Sequence, residues 1–114
     1  MYMLDTNICI YVLNNRSDPL RHKFKAVKNL CISAVTYAEL CFGVENGNPS
    51  LKRQRREQLD AFARLLRVQA LGQDVGWHYG RIRSRLKRQG RLIGNNDLFI
   101  ASHALSLGAV LVTN

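Results

Sequence analysis

Acidic residues are scarce in this chain: eight Asp and Glu stand against seventeen Lys and Arg in 114 residues, a formal net charge of +9. Such an imbalance points to a polyanion, of which nucleic acid is the commonest inside a cell, although an anionic lipid surface, an acidic protein or simple solvation of the charged faces satisfies the same arithmetic. Cysteine is sparse as well. Cys9, Cys31 and Cys41 are odd in number, widely spaced and set in apolar stretches, which argues against a disulfide framework or a Cys-x-x-Cys metal site and fits a reducing cytoplasm. No long apolar run exists: Ile8 to Leu13 has six residues, against the ~20 of a membrane-spanning helix, and Asp5 interrupts what would be a signal peptide's apolar region. The two prolines, Pro19 and Pro49, fall in polar turns, and there is neither a repeat nor a low-complexity linker. The expectation is one domain over residues 1–114, with no membrane partner.

What is present reads as strands alternating with helices. Met1 to Leu4 is a short buried strand. Ile8 to Leu13 is β-branched enough to prefer strand, while Asp5-Thr6-Asn7 offers helix-capping chemistry, so local evidence leaves that segment open. Leu30 to Ser33 is a second strand. Thr36 and Glu39 have the spacing of a capping box, which opens a helix to about Val44. A charged helix begins near Leu51 with Leu59, Phe62, Leu65 and Leu66 as its buried stripe, and Val68 to Leu71 suits another strand. Tyr79, Ile82 and Leu86 mark one face of a helix from Gly76 to Gln89, and Gly90 stops it. A last helix follows Asn95-Asn96-Asp97 to about Leu107, and Ala109 to Val112 is a buried strand. This order predicts an α/β fold, a three-layer α/β/α sandwich around a mostly parallel sheet.

Three of the acids break the pattern of solvated charge. Asp5, Glu39 and Asp97 each abut an apolar stretch where an element turns inward. Each also suits a helix start, where a carboxylate stabilises the first turn by ~1 kcal/mol with no further role. In a parallel α/β sheet, however, helices begin at the carboxyl ends of strands, the edge where ligands bind. There the three carboxylates are expected to converge. Converging carboxylates repel, a divalent cation relieves the repulsion, and oxygen-only ligands select Mg²⁺ or Mn²⁺, the ions of metal-assisted phosphodiester hydrolysis.

Met3-Leu4-Asp5-Thr6-Asn7, Ser33 to Leu40, Ile93 to Ala104 and Val112-Thr113-Asn114 together resemble the PIN-domain ribonucleases, in particular the VapC toxins of bacterial toxin-antitoxin pairs. The resemblance implies a PIN-like sandwich and a Mg²⁺- or Mn²⁺-dependent endoribonuclease acting on RNA, with some members cutting initiator tRNA. It also implies a VapB-like antitoxin that inserts a segment into the active-site groove, and assembly as a homodimer or toxin-antitoxin hetero-oligomer. Asp5, Glu39 and Asp97 match three of the family's acidic, catalytic and metal-binding positions, and Thr6, Asn7 and Thr113 match the polar residues that support them. Family members continue past the Thr-Asn pair with a further acid and another strand, so a missing fourth carboxylate is expected here. A second reading follows from that: a shortened PIN module that binds antitoxin or RNA and cleaves weakly or not at all.

Lys52 to Arg56 and Arg81 to Arg91 supply ten of the seventeen basic residues. Arg83 and Arg85 of the second run are the candidate RNA contacts, with a solvated helix face or contact with an acidic antitoxin segment as the alternatives. His22, His78 and His103 have no pairing that suits metal-free acid-base cleavage and are expected at the surface or half-buried. Trp77, Tyr79, Phe42, Phe62 and Phe99 are expected in core stripes. An aspartyl-phosphate phosphotransferase built on Asp5 is excluded by Asn7, which stands where that chemistry needs a second acid.

Overall fold

The structure, a computed structural model, describes residues 1–15 and 26–113. Pro19, His22 and Asn114, all weighed above, lie outside the described residues. The chain runs β1 (Tyr2–Leu4), α1 (Thr6–Asn14), β2 (Leu30–Ser33), α2 (Ala34–Glu45), a 3-10 turn (Pro49–Leu51), α3 (Lys52–Ala63), β3 (Arg67–Gln69), α4 (Val75–Arg88), α5 (Asn95–Leu107) and β4 (Val110–Val112). The strands form one sheet in the order β3-β2-β1-β4. Every pairing is parallel, with Met3 opposite both Cys31 and Leu111.

Alternation along the strands divides the core into two layers. Leu4, Leu30 and Ile32 join Ile8, Cys9 and Val12 of α1, Leu40 of α2, and Leu59 and Phe62 of α3 on one face. Met3 and Cys31 point the other way, onto Ile100 and Ala104 of α5. The result is the expected three-layer sandwich, with a sheet that is parallel throughout among the described residues.

The ambiguous segment after Asp5 is helix. Oδ1 of Asp5 accepts from the Ile8 N–H at 2.9 Å, and the helix so started buries Ile8, Cys9 and Val12. Burying such side chains stabilises by ~1.5–3 kcal/mol each, more than the few tenths that β-branched residues lose in a helix. The second helix starts earlier than the Thr36 capping box implies. Ser33 is the cap, its Oγ accepting from Val35 N–H at 3.1 Å, and Thr36 lies fully buried within α2.

Several core expectations fail for one geometric reason. Trp77 is 73% and Phe42 66% exposed, because each sits two residues from the position its helix buries, Val75 and Leu40, about 200° around the axis. Leu65 is exposed because α3 ends at Ala63, which breaks the stripe. Cys9 and Cys31 are buried and Cys41 is half-buried, all free thiols. No helix of the described residues is long and apolar enough to cross a membrane.

Candidate active site

Asp5 stands immediately beyond β1, where its N–H donates to the Val112 carbonyl at 3.0 Å. The ladder between β1 and β4 therefore extends one residue past the strand and sets Thr113, next after Val112, beside the backbone of Asp5. Thr6 opens α1. Its Oγ1 donates to Oε1 of Glu39 at 2.9 Å and lies 3.3 Å from Oγ1 of Thr36. The carboxyl edge of β1 and the second turn of α2 are thereby joined by a hydroxyl clamp spanning 33 positions of sequence. Asp5 and Glu39 are half-buried, the first accepting a hydrogen bond from the Ile8 N–H and the second from the Thr6 hydroxyl.

Asp97 is the third residue of α5. Six residues further along, His103 Nδ1 lies 2.8 Å from Oγ of Ser33, the last residue of β2. Six residues of helix span about 9 Å, so Asp97 lies beyond the carboxyl edge of the sheet, the edge that also carries Asp5 and Glu39. Although it abuts the apolar Leu98-Phe99-Ile100, Asp97 itself is exposed. Among the described residues, no three His, Cys, Asp or Glu side chains stand close enough together to hold one ion. The structure thus brings the acids to one edge, and joins Glu39 to the residue after Asp5, without a three-carboxylate cluster. The donor set is oxygen throughout, carboxylate and hydroxyl. That chemistry fits Mg²⁺, which takes one or two carboxylates and keeps several waters.

Of the polar residues expected to support the acids, Thr6 touches Glu39, whereas Asn7 and Thr113 are exposed and make no side-chain hydrogen bond to a described residue. Sequence reading missed the layer beneath. His103 is 1% exposed, not at the surface or half-buried, and its Nε2 has no hydrogen-bond partner among the described residues. Burial holds its pKa below the ordinary histidine value, although the Ala70 backbone and the Asp74 charge oppose that shift. Ser33 is legible as a cap from its place before Ala34-Val35, but no spacing connects it to His103, 70 positions away. Cys9, behind Asp5, is no nucleophile, since burial and then the Asp5 charge push its thiol up to about 12.

Two grooves flank this edge. One, of about 350 Å³, runs between α1, α2 and α3, with Glu39 on its wall among Ile10, Leu13, Leu40 and Val44. The other, of about 500 Å³, lies between α4 and the segment entering α5 and carries Arg83, Lys87 and Arg91. Arg83 and Arg85 therefore part company: only the first lines a groove.

Comparison with known proteins agrees with this architecture. The family described as PIN domain matches residues 2–114. The chain is 40% identical over 117 residues to Ribonuclease VapC2 of Rickettsia felis, covering 100% of this chain and 86% of that protein. It is 37% identical over 114 residues to the tRNA(fMet)-specific endonuclease VapC of Shigella flexneri, covering 99% and 85%. Among solved structures, VapBC2 from Rickettsia felis bound to a DNA fragment from their promoter is similar, with a TM-score of 0.91 and 38% identity over 99% of this chain and 86% of that one.

Proposed function

This chain belongs to the PIN-domain family, and on that footing we propose that it is a VapC-type toxin, an endoribonuclease that hydrolyses RNA phosphodiester bonds in the cytoplasm and is neutralised by a VapB-like antitoxin. The observation that carries the reading is the clamp at the carboxyl edge of the parallel sheet. Thr6 donates to Glu39 at 2.9 Å, while Asp5, the residue before it, is fixed by the Ile8 N–H.

Asp5 and Asp97, with Glu39 directly or through a water, would hold Mg²⁺ or Mn²⁺. Bound there, the ion would supply a water of lowered pKa and offset charge on the phosphate. Asp5 has one oxygen engaged by the helix start, which fixes its carboxylate plane and leaves the second oxygen for the site. Thr6 orients Glu39 by occupying Oε1. The α1–α2–α3 groove, where Ile10, Leu13, Leu40, Val44 and Leu59 alternate with Glu39, Arg55 and Gln58, suits an antitoxin segment that carries apolar anchors between charged side chains. Relatives named as tRNA(fMet)-specific make tRNA the first substrate to try.

Incubation with bulk tRNA, with Mn²⁺, with Mg²⁺ and with chelator, tests the reading. Asp5→Asn preserves an oxygen to cap α1, where alanine would forfeit ~1 kcal/mol. It and Asp97→Asn are each expected to lower cleavage more than tenfold. Metal-dependent cleavage unchanged in both variants refutes the site. The second reading, a module that binds antitoxin or RNA without turnover, is favoured by the lack of a three-acid cluster among the described residues. Binding without any cleavage by the unsubstituted chain would establish it.

A further inference from the structure

We infer that the groove between α4 and the start of α5 is the track for the RNA backbone, with Arg83, Lys87 and Arg91 as its phosphate contacts and the other arginines of the run outside it. This rests on the endoribonuclease reading and goes beyond it, since neither the acids nor the antitoxin groove says where the rest of the strand lies.

Helix geometry does the sorting. Arg83 and Lys87, four residues apart, share a face and stand about 6 Å apart along the axis, near the spacing of successive phosphates in an extended strand. Arg81, Arg85 and Arg88 fall elsewhere on the helix and do not line the groove. The turn after α4 adds the third cation. Gly90, at a φ of 67°, takes the left-handed conformation that ends helices, and the Arg91 N–H donates back to the Leu86 carbonyl at 2.9 Å. The chain thereby folds over the helix end and delivers Arg91 to the wall that holds Lys87.

Arg83 is held in place. Its Nη1 donates to the Tyr79 hydroxyl at 3.1 Å, its guanidinium lies 5.9 Å from the centre of that ring, and the ring stacks on Phe99 with centroids 4.2 Å apart. Phe99 belongs to α5, two residues beyond Asp97, so this stack couples the groove wall to the helix that carries an acid of the site. Asn95 and Leu98, which bracket Asp97 in sequence, line the floor, and no Asp or Glu lines the groove among the described residues. Leu92, 99% exposed, adds an apolar rim suited to the face of a base. Three cations beside an apolar lining of Leu86, Leu92, Ile93 and Leu98, beginning at the turn that bears Asp97, match a strand whose phosphates meet the cations, whose bases rest on the apolar side chains and whose scissile phosphate sits at the acids.

The test is fluorescence anisotropy of a labelled single-stranded RNA of mixed sequence, in chelator to prevent cleavage, across a series of KCl concentrations. The combined Arg83→Ala, Lys87→Ala and Arg91→Ala variant is expected to bind more than tenfold more weakly. Its log-log salt slope should be shallower by about 2, since each single-strand phosphate contact contributes ~0.7. The combined Arg81→Ala, Arg85→Ala and Arg88→Ala variant should lose less than threefold. In cleavage assays the groove variant should raise KM with kcat retained, the signature of lost uniform binding. Equal weakening by both variants would mean that total charge and not the groove binds RNA, and would overturn the inference. So would undiminished RNA binding accompanied by lost binding of poly-aspartate, which would assign the groove to an acidic protein. If the unsubstituted chain binds RNA through the groove but never cleaves it, the nuclease reading fails and the groove stands; if it binds no RNA, both fail.

Discussion

Acidification offers a sharp test of the buried His103, because the pH range concerned lies above that in which ordinary carboxylates titrate. An imidazolium at this position needs two acceptors. Ser33 Oγ, at 2.8 Å from Nδ1, supplies one, and Nε2 has no hydrogen-bond partner among the described residues. Burial therefore lowers the folded-state pKa from 6.5, with the Ala70 backbone and Asp74 pulling the other way. The unfolded chain takes up this proton first as pH falls, so stability is fully present above about pH 6.5 and is lost as pH drops toward the lowered folded value. The loss between pH 7.5 and 5.5 is bounded at about 1.4 kcal/mol, one decade of the proton equilibrium, reached where the folded state takes up no proton in that range. That is a sizeable fraction of the ~5–15 kcal/mol that holds a small domain together. Urea unfolding across this range measures it, with His103→Gln as comparison, since glutamine retains an amide for Ser33 and does not titrate. The wild-type curve should fall with acid and the variant curve should be flatter by that amount. Parallel curves would show that His103 is not the titrating group and refute the argument.

Two further outcomes follow from the site and the groove beside it. Thr6→Val, nearly isosteric, removes the donor to Glu39 and should lower stability by ~1 kcal/mol and RNA cleavage several-fold, whereas Thr6→Ser should restore both; thermal melts and a cleavage assay that rank serine with valine would discard the clamp. Gly43 sits inside α2 on the wall of the α1–α2–α3 groove, and a Cβ there meets nothing within 4 Å, so Gly43→Ala should raise stability by ~1 kcal/mol through helix propensity alone. Gly43→Phe should instead fill the groove and weaken capture of a co-expressed VapB-like antitoxin at least tenfold, with tRNA cleavage unaffected; undiminished capture would move the antitoxin elsewhere.

Much of the fold was legible because its signals are local. The stripe Tyr79, Ile82, Leu86 located α4, the polar cluster before Leu98 located the start of α5, and Gly90 and Gly108 closed these helices at positive φ. Asp5 as a cap needs only its own side chain and an N–H three residues on. The placement of Asp5 and Asp97 at helix starts and of Glu39 one turn into its helix, all toward one sheet edge, was legible only as far as the order of strands and helices. Illegible were the choices that depend on what a side chain meets across the fold. Thr36 and Glu39 have the spacing of a capping box, yet Ser33 caps the helix and Glu39 turns to Thr6, a partner no spacing rule identifies.

The sequence by itself determined the charge, the alternation of elements and the identity of the acid-bearing helix starts, because propensity, capping and periodicity act within a turn or two of backbone. Tertiary structure alone decided that Ile8 to Leu13 is helix, that His103 is sealed against Ser33, that Trp77 and Phe42 face outward, and that Arg83 and Arg85 serve different surfaces. In each case the deciding energy is burial or a hydrogen bond between groups that the chain brings together only when the two core layers close on the sheet.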